Sequence, residues 1–319
     1  MFKLGNAITG KQSKTLITDG AASCGRYEFM ELWFVFAIMT AFLWGFANIF
    51  AKVSTQKLGV ARIAGLVAVI EGMTYFTAFL FWHNNTAINL EYGSLAAASS
   101  FVGIAAYLCF FESVVDGQVA ILGTISAAYP SLTVIGALAF LSESLTAAQL
   151  VGVAAIICGI IALSYERNPH SRYSIPRRSL FFALSAFVLW GLWSLTAKIA
   201  VGKIGAGNIF GFYAFSAVTV PLVYMWFRRT NPGPSKAETS SWVPWVFGAV
   251  GLVLNVCGTL AFTFALSVGL ASLVVPISSA YPLVTVTAAL LLLGEKLNRL
   301  QLTALACVIT GLLVIAIVG

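Results

Sequence analysis

The chain has 319 residues, 60% of them hydrophobic and only 9% charged, with a mean hydropathy of +0.93. A soluble domain carries roughly 25% charged residues, so this composition excludes a nuclear, secreted-globular or disordered protein and implies a chain that lives in lipid. Eighteen Lys and Arg against eleven Asp and Glu give a formal charge of +7, which in a membrane chain reports first on which loops face the cytoplasm.

Residues 1–29 form a polar tail rich in Lys, Ser, Thr and Gly, without the apolar core of a signal peptide. Met30, directly before the first apolar run, is an alternative start. From there, runs long enough to cross about 30 Å of hydrocarbon are expected near 32–52, 62–82, 94–113, 119–140, 146–165, 179–200, 207–227, 243–266, 271–293 and 299–318. Polar linkers are expected at 166–178 and 228–241. Trp33, Trp82, Trp226, Trp242 and Trp245 fall at span ends, where an indole can keep its ring in lipid and its N–H in headgroup water. Trp44, Trp190 and Trp193 lie deeper.

In the first span Trp44 and Asn48 are one helical turn apart, and in the sixth Trp190 and Ser194 repeat the arrangement. Such a pair either stacks on and hydrogen-bonds a bound solute or packs between helices. Lys52 and Lys198 lie near span ends and can snorkel to the interface. Glu71 is the one acid deep in a span. A charge there costs on the order of 2–3 kcal/mol even on an insertion scale, so it should face protein or water. Ala64, Ala68, Glu71 and Tyr75 share one face. The acid is thus the candidate for proton coupling, with a structural hydrogen bond as the plainer alternative.

Glu112 and Asp116 end the third span and read as a solvated loop or an entrance. Spans four and nine each carry Tyr-Pro at the midpoint, Tyr129-Pro130 and Tyr281-Pro282. A proline frees the carbonyl four residues back, here those of Ser126 and Ser278, and a freed carbonyl in hydrocarbon needs a partner or a polar cavity. Glu143 and Glu295 sit in tight turns before spans five and ten. Each is followed by a capping pattern, Thr146-x-x-Gln149 and Asn298-x-x-Gln301, so the glutamates read as turn and helix-start residues. Cys24, Cys109, Cys158, Cys257 and Cys307 form no CxxC pair, and neither histidine lies near one. Buried hydrophobes are expected, with no metal and no cofactor.

The chain is also a duplication. At a shift of 152, SAAYPSLTV (126–134) falls on SSAYPLVTV (278–286), and from 117 to 163 there are about eighteen identities in forty-seven pairs, against roughly five by chance. At a shift of 146, Trp44-Gly45 pairs with Trp190-Gly191 and Lys57 with Lys203. Each unit holds five spans, an odd number, so the second enters from the opposite side: an inverted repeat. Helix breaks at matching midplane positions of two such halves point to a transporter binding site. Trp44, Asn48, Ser126, Tyr129, Trp190, Ser194, Ser278 and Tyr281 are therefore the candidate solute-binding residues, Pro130 and Pro282 the helix breaks.

Ten spans in two inverted halves, each with a Ser-Ala-x-Tyr/Phe-Pro-type fourth helix and a following Gly-Glu-x-Leu turn, resemble the EamA-type branch of the drug/metabolite transporter superfamily. The likeness runs from about residue 32 to 319 and is most specific from Pro282 to Gly311. The first half departs from it, with Ser142 and Ser144 around Glu143. The resemblance implies an all-α membrane protein, ten helices around a central cavity, with EamA-like repeats at 30–165 and 179–319. It also implies alternating access and transport of an amino acid, sugar or drug-like solute, often with proton coupling.

A passive channel or a lipid scramblase of the same architecture is the alternative. An intramembrane enzyme lacks a nucleophile–base pair at depth. The expected partners are a small-molecule solute and the bilayer, without nucleic acid. The expected assembly is a monomer or weak homodimer in the plasma membrane. Twelve basic residues fall on the side of the odd-numbered loops and six on the side of the termini, which places the termini outside; the resemblance implies the reverse.

Overall fold

The computed structural model describes residues 19–116, 125–164, 176–230, 241–284, 287 and 299–318, and every regular element among them is helical. We number these helices in chain order. α1 is Asp19–Leu58 and α2 is Val60–Trp82. α3 is Leu90–Asp116, α4 Ile125–Phe140 and α5 Ala147–Ser164. α6 is Arg177–Ile204, α7 Ala206–Thr230 and α8 Val243–Val268. α9 is Ala271–Val284 and α10 Arg299–Val318. Helix α1 begins inside the stretch read above as a polar tail. Thr285, Ala289, Glu295 and Asn298, most of the 166–178 linker, and the side chains of Lys52 and Asp116 lie outside the described residues.

Seven of these helices, α1, α2, α3, α6, α7, α8 and α10, are long and apolar enough to cross a membrane; α4, α5 and α9 are shorter apolar helices. Two of the short ones carry the Tyr-Pro sites. In α4 the ladder is interrupted at Ala128, where Ser131 N–H bonds back only three residues to the Ala128 carbonyl (3.0 Å). In α9 the interruption falls at Ser279-Ala280, with Leu283 N–H to the Ala280 carbonyl at 3.0 Å. A proline cannot donate to the ladder, and the chain tightens into a three-residue turn at the same register in both copies.

The outer and inner faces are sorted as lipid requires. Val35, Met39, Phe42 and Phe46 run down one side of α1 at helical spacing and are exposed, while Ala37, Ala41, Trp44, Ala47 and Ala51 on the other side are buried. Trp44 apart, large apolar groups thus face outward and small ones inward, because without water the helices gain by close contact. The partners are α1 with α8, α3 with α6, α2 with α7, α4 with α9 and α5 with α10. Each pair takes one helix from each half of the chain.

Single glycines set the closest approaches, and they recur in register. A Cβ on Gly45 of α1 would stand 2.6 Å from the Val284 Cβ in α9. A Cβ on Gly191 of α6 would stand 2.5 Å from Leu132 Cδ2 in α4. Residues 45 and 191, and 132 and 284, are the pairs that the duplication aligns. The α5–α10 seam repeats the pattern. A Cβ on Gly311 would meet the Gly152 carbonyl at 2.6 Å, and one on Gly159 would meet Val308 Cγ2 at 2.6 Å and the Ala304 carbonyl at 3.0 Å.

Candidate solute-binding cavity

Glu71 is aimed by a local defect in its helix. Residues Val67–Glu71 make a π-turn, in which the Gly72 N–H reaches back to the Val67 carbonyl; such widened turns concentrate at functional positions. The carboxyl is fully buried. Its Oε1 accepts a hydrogen bond from Asn255 Nδ2 of α8 at 2.9 Å, while Oε2 has no hydrogen-bond partner. An acid half-satisfied at this depth costs several kcal/mol, and Glu71 is among the residues that line the central cavity.

That cavity, about 80 Å³, lies between α1, α2, α3, α6, α7, α8 and the two Tyr-Pro helices. Two mid-helix glycines seat its indoles. A Cβ on Gly103 would stand 2.8 Å from Trp193 Cδ1, and one on Gly258 would stand 2.5 Å from Trp44 Cδ1. Trp44 Nε1 donates to the Asn255 carbonyl at 3.3 Å, which ties the residue that holds Glu71 to the aromatic wall. Trp44 and Trp193 have ring centroids 6.4 Å apart, and Tyr129 and Trp190 5.7 Å.

Of the residues the sequence singled out, Trp44, Asn48, Glu71, Tyr129, Trp190 and Tyr281 come together on this cavity. Ser126, Ser194 and Ser278 do not line it. A serine in a helix turns its hydroxyl onto nearby backbone or packing partners, and all three lie buried behind the wall. Ser194 shares a 2.7 Å hydrogen bond with Thr133 and also reaches the Trp190 carbonyl. Ser126 donates to the Ala183 carbonyl of α6 at 3.3 Å, and Ser278 Oγ is unbonded. Tyr129 accepts a 2.6 Å hydrogen bond from Ser279 across the paired breaks. Sequence reasoning placed Tyr75 on the Glu71 face, missed Asn255 and Tyr213 as lining residues and left Trp193 unassigned, although the glycines opposite the indoles were visible in the apolar runs.

The three remaining charged positions differ from expectation. Glu112 is not a solvated loop residue. It is buried at 5% exposure and takes Arg178 of α6 (2.6 Å), Arg228 of α7 and the Tyr224 hydroxyl. Glu143 caps a helix, but not its own. Its Oε1 accepts from the Ala271 N–H at 2.8 Å, and its Oε2 from the Ser272 N–H at 2.9 Å and the Ser272 hydroxyl at 2.5 Å, so it closes the N-terminus of α9. Thr146 and Gln149 form the expected reciprocal capping box on α5 (2.9 and 3.2 Å). Lys198 does not snorkel outward. Its Nζ donates to the carbonyls of Leu266 and Gly269, both at 2.7 Å, and satisfies the C-terminus of α8.

Helices with apolar outer faces around a buried cavity lined by aromatic rings and one acid define a multi-pass integral membrane protein with an internal cavity. Comparison with known proteins places it further. The model of the EamA-like transporter family matches twice, over residues 31–165 and 177–317, and the chain belongs to that family. An uncharacterized protein of Methanocaldococcus jannaschii, MJ1333.1, is 27% identical over 139 residues, which are 42% of this chain and 98% of that one. That relative is therefore about the size of one repeat. A crystal structure of a protein 16% identical superposes with a TM-score of 0.69 over 90% of this chain and 96% of its own, a likeness of fold.

Proposed function

We propose that the chain is a secondary transporter that moves a small metabolite (an amino acid, a sugar or a drug-like solute) by alternating access, with the solute held in the cavity around Glu71. In this reading the ten apolar segments are ten spans, folded as two inverted five-helix halves in the plasma membrane. The one-from-each-half helix pairing and the glycine contacts that repeat in register support that arrangement. Trp44, Asn48, Tyr129, Trp190 and Tyr281 contact the solute, Pro130 and Pro282 break the helices that flank it, and Glu71 carries the coupled proton.

The observation that carries the reading is a fully buried carboxyl, Glu71, whose Oε2 has no hydrogen-bond partner and which lines a cavity at mid-helix depth. A carboxyl that alternates between two sides can exchange its proton for work on the solute. Saturable solute–solute exchange in proteoliposomes tests the carrier. An imposed pH gradient should change the wild-type rate, and in Glu71→Gln the rates with and without the gradient should become equal while exchange persists. An unchanged gradient response in that variant would sink the coupling role. Flux that rises linearly with concentration, without exchange, would favour a channel.

A further inference from the structure

We propose that a groove on the outer face of the protein, between α2 and α7, binds one anionic phospholipid, with its phosphate against Arg228 and an acyl chain along the apolar floor. The proposal concerns the lipid-facing side of the chain and stands apart from the carrier reading above. The groove, about 490 Å³, is lined by Ala61 of α2 and by Leu222, Met225, Trp226 and Arg228 of α7. Four of these five side chains are apolar, and the fifth is a cation. Gly65, one turn further along α2, thins that helix beside the groove: a Cβ there would meet only Met225 Sδ, at 3.7 Å. Trp226 is 64% exposed, and an indole so placed suits the boundary between acyl chains and headgroups.

The charge of the groove comes from an uneven ion-pair junction. Glu112 is shared by Arg178 and Arg228, one carboxylate against two guanidinium groups, so the meeting point of α3, α6 and α7 keeps a formal charge of +1. Arg228 gives its Nε and Nη2 to Glu112 and its Nε also to the Tyr224 hydroxyl. Nη1 makes none of these bonds, and the side chain, 25% exposed, still borders the groove. A basic recess between membrane helices is a ready seat for an anionic headgroup, and this side of the chain carries twelve of the eighteen basic residues. The duplication supplies a control. At the shift of 146, Ala61 falls on Gly207 and Trp82 on Arg228. At that mirror position the two helices close on each other, and a Cβ on Gly207 would stand 1.7 Å from the Trp82 carbonyl. Backbone contact fills the gap there, and an indole stands in place of the cation. The apolar floor favours a lipid over a soluble phosphate, and the excess positive charge favours an anionic lipid over a zwitterionic one.

Native mass spectrometry of the purified protein, titrated in detergent with dioleoyl phosphatidylglycerol or dioleoyl phosphatidylcholine, tests this. The two lipids share their chains and differ in headgroup charge. The expected result is a single bound phosphatidylglycerol, held about fivefold more tightly than phosphatidylcholine, the effect of one basic residue at the membrane surface. Arg228→Gln should abolish the preference, whereas Arg177→Gln, which removes an exposed charge from the same side, should keep it. Ala61→Phe fills the groove without touching the Glu112 junction and should weaken phosphatidylglycerol binding by a similar factor, with melting temperatures confirming the fold. If Arg228→Gln does not fold, the wild-type comparison and Ala61→Phe decide. Equal binding of the two lipids by the wild-type protein overturns the proposal, as does wild-type binding in Ala61→Phe. Displacement of the lipid by an equal concentration of glycerol phosphate overturns the role of the apolar floor. A protein dimer that Ala61→Phe dissolves would assign the groove to a second copy of the chain and overturn the lipid.

Discussion

The strongest structural test is Glu143→Gln. The wild-type carboxylate spans two adjacent N–H groups and one hydroxyl at the start of α9, with three short hydrogen bonds at 2.8, 2.9 and 2.5 Å. Gln has the same volume but only one acceptor oxygen. Its NH₂ would face either the Ala271 donor or the Ser272 donors, so at least one backbone N–H of the helix start loses its partner. Losing a charge-assisted hydrogen bond costs about 1.5–3 kcal/mol, and losing a negative charge at a helix N-terminus adds about 0.3–1 kcal/mol. A total of about 3 kcal/mol, spread over the unfolding entropy of a chain this long, lowers the melting temperature by roughly 4 °C. Thermal unfolding in detergent reads this directly. The double variant with Ser272→Ala should fall short of additivity by about 1 kcal/mol, because the two changes remove a shared bond. Melting within a degree of wild type, or full additivity, would refute the cap.

Three further outcomes follow from the same geometry. Gly311→Ala places a methyl 2.6 Å from the Gly152 carbonyl and should cost about 1–3 kcal/mol of stability by overpacking the α5–α10 seam, measured by melting. Gly103→Ala pushes a methyl to 2.8 Å from Trp193 Cδ1; it should shift the tryptophan emission and weaken solute binding about tenfold, a loss of about 1.4 kcal/mol, with little change in melting. Glu112→Gln leaves two guanidinium groups facing one another, but Arg178 is 47% exposed and Arg228 25%. Both can turn toward water, so the expected loss is about 1–2 kcal/mol rather than the about 3–5 kcal/mol of a fully buried pair, read as a fall in melting temperature.

The sequence carried the fold because its signals were strong and local. Apolar runs, matched prolines and a second copy of the same pattern each act over a few residues, and the breaks at Ala128 and Ser279 fall where Pro130 and Pro282 require them. Glu71 was legible for the same reason, as an acid that has to face something polar. Asn255 was not, since a lone amide in α8 has no repeated partner, and only the packing of α8 against α2 brings it to the carboxyl. Ser126, Ser194 and Ser278 show the opposite failure. Repetition marked them, yet a short hydroxyl is absorbed by neighbouring hydrogen bonds or packing before it can reach a cavity. Glu112 was read as a solvated loop or an entrance, Glu143 as a turn and helix-start residue and Lys198 as a snorkelling cation, because their real partners lie 66, 128 and 68 residues away.

The π-turn before Glu71 has a consequence for how such a site can change. One extra residue in a helical turn rotates everything beyond it by about 100° while moving it only about 1.5 Å along the axis. Direction and depth of the acid are thus separately adjustable. Removing one residue from Val67–Ile70 would keep Glu71 near the same level of the membrane and swing it off the cavity wall. The charge at the heart of this molecule is held in place by a miscount in its helix, and a single-codon deletion is enough to turn it toward the neighbouring helices.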